Sequence, residues 1–225
     1  MVVLHHGNNK DWDNKEGVTK ALNRFKSILQ DAYPRTECSI DRNCVTMKLA
    51  EFRLDVVPAF RFREGHYKIP DTYREQWLAT DPVKFSEEVT RINKNMNNDF
   101  IPLIKMMKGW NRNFTKRLRG FHIECIMINH YKNYSESYTF ESMVKVFFSS
   151  LPDYLNVASH DPITGDRVDL YLDNKSLDNK REDFVTRAKK AAELAEEAYN
   201  DREKYPTVSI GEWKDLFGEF FPAYG

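Results

Sequence analysis

Between Cys44 and Phe60 apolar and polar residues alternate: Thr46 and Lys48 separate Val45, Met47 and Leu49, while Arg53 and Asp55 separate Phe52, Leu54 and Val56. A period of two marks strands with one covered face, so the stretch predicts an antiparallel hairpin whose turn lacks the usual glycine. Nothing downstream repeats that pattern as convincingly. From Asp99 onward apolar residues recur instead at helical spacing, with Phe100, Leu103, Ile104, Met107 and Trp110 on one face of a helix predicted over 99–113. Mostly apolar helices follow over 121–130 and 140–151, then an alanine-rich amphipathic helix over 184–199 and a short aromatic element around Trp213, Leu216 and Phe217. Ahead of the hairpin, Val18, Leu22, Phe25, Ile28 and Leu29 predict a helix that closes at Tyr33-Pro34. Residues 58–82, punctuated by Pro58, Gly65, Pro70 and Pro82, read as an irregular connection, and 152–183 as a long Asp/Asn-rich one. The expected class is α+β, with a strand-containing part and connector over 1–98 and a helical part over 99–225.

Composition narrows the function. The 225 residues carry 34 Lys+Arg against 34 Asp+Glu, a balance that argues against non-specific coating of nucleic acid but leaves room for a local basic pocket for small anions. No apolar run approaches the roughly 18 residues of a transmembrane helix, so no membrane association is expected. Cys38, Cys44 and Cys125 are odd in number and lack CxxC spacing, which argues against a disulfide framework or zinc site and suits a reducing cytoplasm. Six histidines form no HExxH pair, and no GxSxG, GxGxxG or Walker-A sequence occurs.

A few residues could carry chemistry. Strand alternation puts the Asp55 carboxylate on the face opposite Phe52, Leu54 and Val56, at a strand end next to Pro58. That is equally the place of an ordinary solvated aspartate, and one carboxylate does not hold two divalent cations. Lys105 and Lys108, one turn apart, could meet neighbouring phosphate oxygens or simply form a wet helix face. Phe121 offers a ring on which a nucleobase could stack, or a core side chain. Trp77 and Tyr67 read as packing residues.

Taken in order, Leu54-Asp55-Val56-Val57-Pro58-Ala59-Phe60, then Gly65-His66-Tyr67-Lys68-Ile69-Pro70-Asp71 with Trp77 and Thr80-Asp81-Pro82, then Pro102-Leu103-Ile104-Lys105-Met106-Met107-Lys108-Gly109-Trp110-Asn111 resemble one known pattern. Gly120-Phe121-His122-Ile123-Glu124, Trp213, Leu216-Phe217-Gly218 and Phe221-Pro222 continue it across nearly the whole chain. The series resembles the bacterial CD-NTase family, nucleotidyltransferases similar to cyclic GMP-AMP synthase and oligoadenylate synthetase. The resemblance implies a polymerase-β-like nucleotidyltransferase core with an antiparallel or mixed sheet, followed by a helical domain. It also implies three carboxylates on two Mg2+ or Mn2+ ions, with nucleoside triphosphates such as ATP or GTP as substrates.

By that resemblance Asp55 is the third metal-binding carboxylate, Lys105 and Lys108 lie at the donor triphosphate, and Phe121 stacks on a base. Gly120 stands where family members commonly have serine, so only its backbone N–H is left to reach a phosphate. The implied role is synthesis of cyclic or short linear oligonucleotide signals in antiphage defence, with a separate effector binding the product. The family places a Gly-Ser turn and an Asp-x-Asp pair before the strand that Val2-Val3-Leu4 resembles. Asp11-Trp12-Asp13 has the spelling without the Gly-Ser context, so the expectation is an N-terminally truncated polypeptide, inactive alone. Two alternatives accompany this reading: a catalytically dead module that binds nucleotides or a partner, and an RNA-tailing nucleotidyltransferase.

Overall fold

The computed structural model describes residues 1–4, 10–12, 14–114, 118–134, 139–173, 181–219, 221 and 222. It falls into two units, Met1–Lys84 and Phe85–Gly225. The first contains β1 (Val2–Leu4), α1 (Lys15–Ala32), β2 (Glu37–Asp41), β3 (Cys44–Lys48), β4 (Arg53–Val56), β5 (Pro58–Arg63), β6 (His66–Asp71) and β7 (Gln76–Thr80). The helix α2 (Pro82–Asn95) runs across the division, and α3 (Phe100–Phe114), α4 (Gly120–Tyr131), α5 (Phe140–Asn156), α6 (Arg181–Asp201) and α7 (Pro206–Phe217) build the second. No helix among the described residues is long and apolar enough to cross a membrane.

The alternating stretch forms the antiparallel pair β3–β4, with Val45 opposite Val56 and Met47 opposite Leu54, and β2 adds a third strand. One face, with Cys38, Val45 and Met47, buries against Val18 and Leu22 of α1; the other carries Ser39, Asp41, Thr46 and Asp55. Asn14 caps α1 by accepting from the Gly17 N–H at 2.8 Å. A Cβ on Gly17 would strike the Trp12 backbone, so this first turn admits only glycine. Trp77 is a packing residue within the unit: its ring lies 4.7 Å from that of Phe60, and its Nε1–H donates to the Trp12 carbonyl at 2.7 Å.

Two expectations change. Residues 58–82 are not an irregular connection but the strands β5, β6 and β7, which with β1 make a second sheet in the order β1-β5-β6-β7. Its prolines misled because each sits where no ladder N–H is needed. Pro58 opens its strand, and Pro70 pairs only with Trp77 of β7, since the β5 pairing of β6 covers only His66 to Lys68. Phe52 and Leu54 were expected on a packed face; they are 61% and 46% exposed, because β4 is the edge of its sheet and Phe52 precedes the strand.

Only Val57 separates β4 from β5, so one extended run serves both sheets. Val2 N–H donates to the Val57 carbonyl at 2.8 Å, and β1 pairs in parallel with β5. The sheets are also tied through the β2–β3 turn, where Arg42 takes a positive φ of 36° and its guanidinium grips the buried Asp71 at 2.7 and 3.0 Å.

In the second unit the helices form as the 3.6-residue spacing predicts. Trp110 meets Phe148 edge-on at 5.3 Å, and Phe217 of α7 packs against Phe148 at 6.0 Å. Gly218, at φ 85°, ends α7, and Asn113 donates to the Phe217 carbonyl beside it. The 152–183 connection is more ordered than its composition suggests. α5 runs through Pro152 to Asn156, and the buried Asp169 accepts from Arg167 (3.0 and 3.1 Å) and Arg181 (2.6 Å). Arg181 also donates to the Leu155 carbonyl at 2.7 Å, linking the start of α6 to the end of α5.

Candidate functional site

In the first unit Asp55 stands on β4 with its side chain in solvent, on the face away from the core. Hairpin register sets Thr46 of β3 directly opposite, and the Thr46 hydroxyl donates to Asp55 Oδ1 at 2.7 Å. Oδ2 has no hydrogen bond from the described residues. Cys44 lies two residues before Thr46 on the same face, with its sulfur 3.8 Å from the Thr46 hydroxyl. Burial, with the nearby Asp55 and Asp41 charges, pushes the Cys44 thiol up, so it keeps its proton at neutral pH.

An exposed carboxylate oxygen of this kind suits a hard divalent cation. Among the described residues, however, no three His, Cys, Asp or Glu side chains converge on a metal position. They supply one ligand and do not complete a two-metal set. Asp11 lies in a short 3-10 turn, Lys10–Trp12, and Asp13 is outside the described residues.

In the second unit α3 and α4 bring two of the expected residues, Lys108 and Gly120, together. The Lys108 ammonium pairs with the Glu124 carboxylate, and a Cβ built on Gly120 would lie 3.5 Å from Lys108 Cε, so the lysine stem lies across the first turn of α4. That spacing is ordinary contact, and a serine at 120 would fit. Lys105, one turn before Lys108, is exposed and has no ion-pair partner among the described residues. Phe121 is not core: its ring is 44% exposed and rests against Phe85 of α2, centroids 5.1 Å apart. One face of the ring is therefore backed by another aromatic while much of it meets solvent.

The next residue, His122, faces inward. Its Nδ1 lies 2.9 Å from the Tyr171 hydroxyl, and burial pushes the imidazole down to about 4. Because the folded value lies below the ordinary 6.5, the unfolded chain takes up a proton first as pH falls, and stability is lost from about pH 6.5 down towards 4. Burial lowers His130 too, in the same direction. The unfolding free energy is expected to drop by about 3 kcal/mol across that window through His122, and His122→Gln should flatten the profile. Urea midpoints at pH 7 and pH 4.5 measure it; equal midpoints in the unsubstituted protein would refute it.

Thr46, Glu124 and Phe85 were not among the residues singled out from the sequence. Thr46 was available, since extending the predicted hairpin register from its turn puts position 46 opposite 55. Glu124 follows Gly120 by four positions and so shares its helix face. Phe85 had no signal, because α2 was hidden in the connector.

Comparison with known proteins bears on this arrangement. Residues 4–93 match the model of the Second Messenger Oligonucleotide or Dinucleotide Synthetase domain. A cyclic AMP-AMP-AMP synthase of Acinetobacter sp. (strain ATCC 27244 / 9458) is 30% identical over 197 residues, 83% of this chain and 56% of that protein. A probable cyclic nucleotide synthase of Bacillus cereus (strain VD146) is 25% identical over 217 residues, 91% of this chain and 63% of that one. The chain thus spans less than two thirds of the length of these relatives. Among solved structures, E. coli MS115-1 CdnC with ATP superposes with a TM-score of 0.72 at 15% identity, covering 93% of this chain and 75% of that one. The class defined by this fold and domain is a nucleotidyltransferase. Within it, the chain is similar to the bacterial CD-NTases, through the synthetase domain matched over residues 4–93 and the 30% identity to the Acinetobacter synthase.

Proposed function

We propose that the protein joins nucleoside triphosphates into a cyclic oligonucleotide, with ATP among its substrates, as the name of the Acinetobacter relative suggests. The observation that carries this reading is the α3–α4 cluster: a lysine laid across Gly120 at the start of α4, a second lysine one turn before it on α3, and, next to Gly120 in the chain, an exposed aromatic residue backed by another ring. Ammonium groups attract phosphates, helix N-termini favour anions, and a ring with a solvent-facing side can stack on a base. Lys108 and Lys105 hold the phosphates, Gly120 lets the chain approach them closely, and Phe121 orients the base. Asp55 is the residue that would hold a divalent cation; when bound, Mg2+ or Mn2+ supplies activation of the attacking hydroxyl and neutralises charge on the phosphates. The product, in this reading, signals phage infection to a separate effector inside the bacterial cell.

A second reading has an observation in its favour: the described residues complete no metal set, which suits a module that binds nucleotides without turnover. Binding itself is tested by equilibrium dialysis with ATP. Lys108→Ala and Phe121→Ala should each weaken it roughly tenfold with the helical content unchanged. Affinity unaffected by both substitutions would overturn the assignment of this cluster.

A further inference from the structure

We infer that Glu124 competes with phosphates for Lys108, a counter-charge that keeps the α3–α4 cluster from holding polyphosphate tightly. The inference rests on the proposed role of Lys108 at the phosphates and goes beyond it, naming a residue that limits affinity there.

The two lysines of the cluster differ in one respect. Lys105 has no ion-pair partner among the described residues, whereas the Lys108 ammonium is already engaged by the Glu124 carboxylate. Two ordinary explanations for Glu124 fail. An acidic residue supports a helix start by facing its first N–H groups, but α4 begins at Gly120, and Glu124 lies beyond the first turn, where that effect has faded. Nor is the pair needed to hold α3 against α4. Asn111 of α3 donates to the Leu118 carbonyl at 2.7 Å and accepts from the Leu118 N–H at 3.2 Å, while Met107, Ile123 and Ile126 are buried in one core. With 39% and 24% of their side chains exposed, Lys108 and Glu124 form a pair of the kind that adds little to stability.

The consequence lies in the charge. An ammonium has three protons, so Lys108 can turn some of them to a phosphate, but an oxygen that approaches Nζ also approaches Glu124. Like charges brought together repel, and the cost grows with the charge of the anion. Because the Lys108–Glu124 pair is itself weak, a polyphosphate can draw the lysine away, and it forfeits part of its binding energy in doing so. When the anion leaves, the carboxylate takes the ammonium back. Glu124→Gln removes the charge, while its amide oxygen can still accept from Nζ along the same path over Gly120.

The test is equilibrium dialysis of the full-length native protein against ATP and, separately, AMP, without added divalent cation. Glu124→Gln should bind ATP roughly tenfold more tightly than the parent, with a smaller gain for AMP, and should melt close to the parent temperature. A tighter complex is a result that damage to the fold does not produce. Lys108→Ala separates the roles: it should weaken ATP binding, and adding Glu124→Gln to it should recover little. Unchanged or weaker ATP binding in Glu124→Gln, with Lys108→Ala weakened, would overturn the role of Glu124 alone. A gain from Glu124→Gln as large in the Lys108→Ala background as in the parent would also overturn it, by showing repulsion without competition for the lysine. ATP binding unaffected by Lys108→Ala would overturn the assignment of Lys108 on which the inference rests.

Discussion

Asp55→Asn in the full-length native protein is expected to lower the rate of oligonucleotide synthesis by roughly 10^3-fold, the scale on which removing a key charged group from a phosphoryl-transfer site acts. The substitution is close to isosteric, and the side chain stands in solvent on an edge strand, so the hydroxyl of Thr46 can still donate to an amide oxygen. Stability should therefore change by no more than about 0.5 kcal/mol, as for surface substitutions away from structural features. Initial rates of product formation, with thermal melts of the same samples, check both halves of this expectation. A variant that retains most of its rate would remove Asp55 from the chemistry. One that loses its rate only by unfolding would leave the role unproven and contradict the predicted stability.

The largest effect on folding is expected at Asp169. Its carboxylate is fully buried between two guanidinium groups, Arg167 and Arg181, and Arg181 also donates to the Leu155 carbonyl near the end of α5. Burial pushes the carboxyl up, but the hydrogen bonds from Arg167 and Arg181 outweigh it and hold the group down at about 2. With the folded value below the ordinary 3.8, its stabilisation is in place above about pH 4 and is lost as pH falls towards 2. Asp169→Ala leaves cationic groups short of their partner and should cost about 3–5 kcal/mol at pH 7, the usual cost of breaking a buried pair. Arg181 keeps Asp173, at 2.8 Å, which places the expectation at the lower end of that range. Urea denaturation at pH 7 measures the loss, and a midpoint within error of the parent would refute the account of how the α5–α6 connection is held.

Much of this organisation is legible in the residues because it is local. The hairpin announces itself through alternation, and the helices from Phe100 onward through spacing, since each buries one face against a core. What was not legible depends on pairing between distant segments. β5 and β6 carry Pro58 and Pro70, residues that break strands unless the partner on that side is missing, and only the sheet pairing shows that it is, while Gly65 takes the turn between the two strands at φ 71°. The clamp of Arg167 and Arg181 on Asp169 spans a connection whose composition looks like a loop, because a charged residue in the interior leaves no hydrophobic period behind it. At the site, Asp55, Lys105, Lys108, Gly120 and Phe121 came from their types and order along the chain. Of the contacts that give them direction, Thr46 opposite Asp55 follows from the hairpin register, whereas Glu124 on Lys108 and Phe85 behind Phe121 arise from packing between helices that no local pattern announces.

The central claim is that this protein builds cyclic oligonucleotides from nucleoside triphosphates. The most direct test incubates the full-length native protein with all four ribonucleoside triphosphates and Mg2+ or Mn2+, treats the mixture with phosphatase, and identifies the remaining nucleotides by mass spectrometry. The predicted result is a phosphatase-resistant cyclic species containing adenosine, absent from the Asp55→Asn reaction. Complete conversion to nucleosides, with ATP binding intact, would contradict synthesis and leave a nucleotide-binding module in its place.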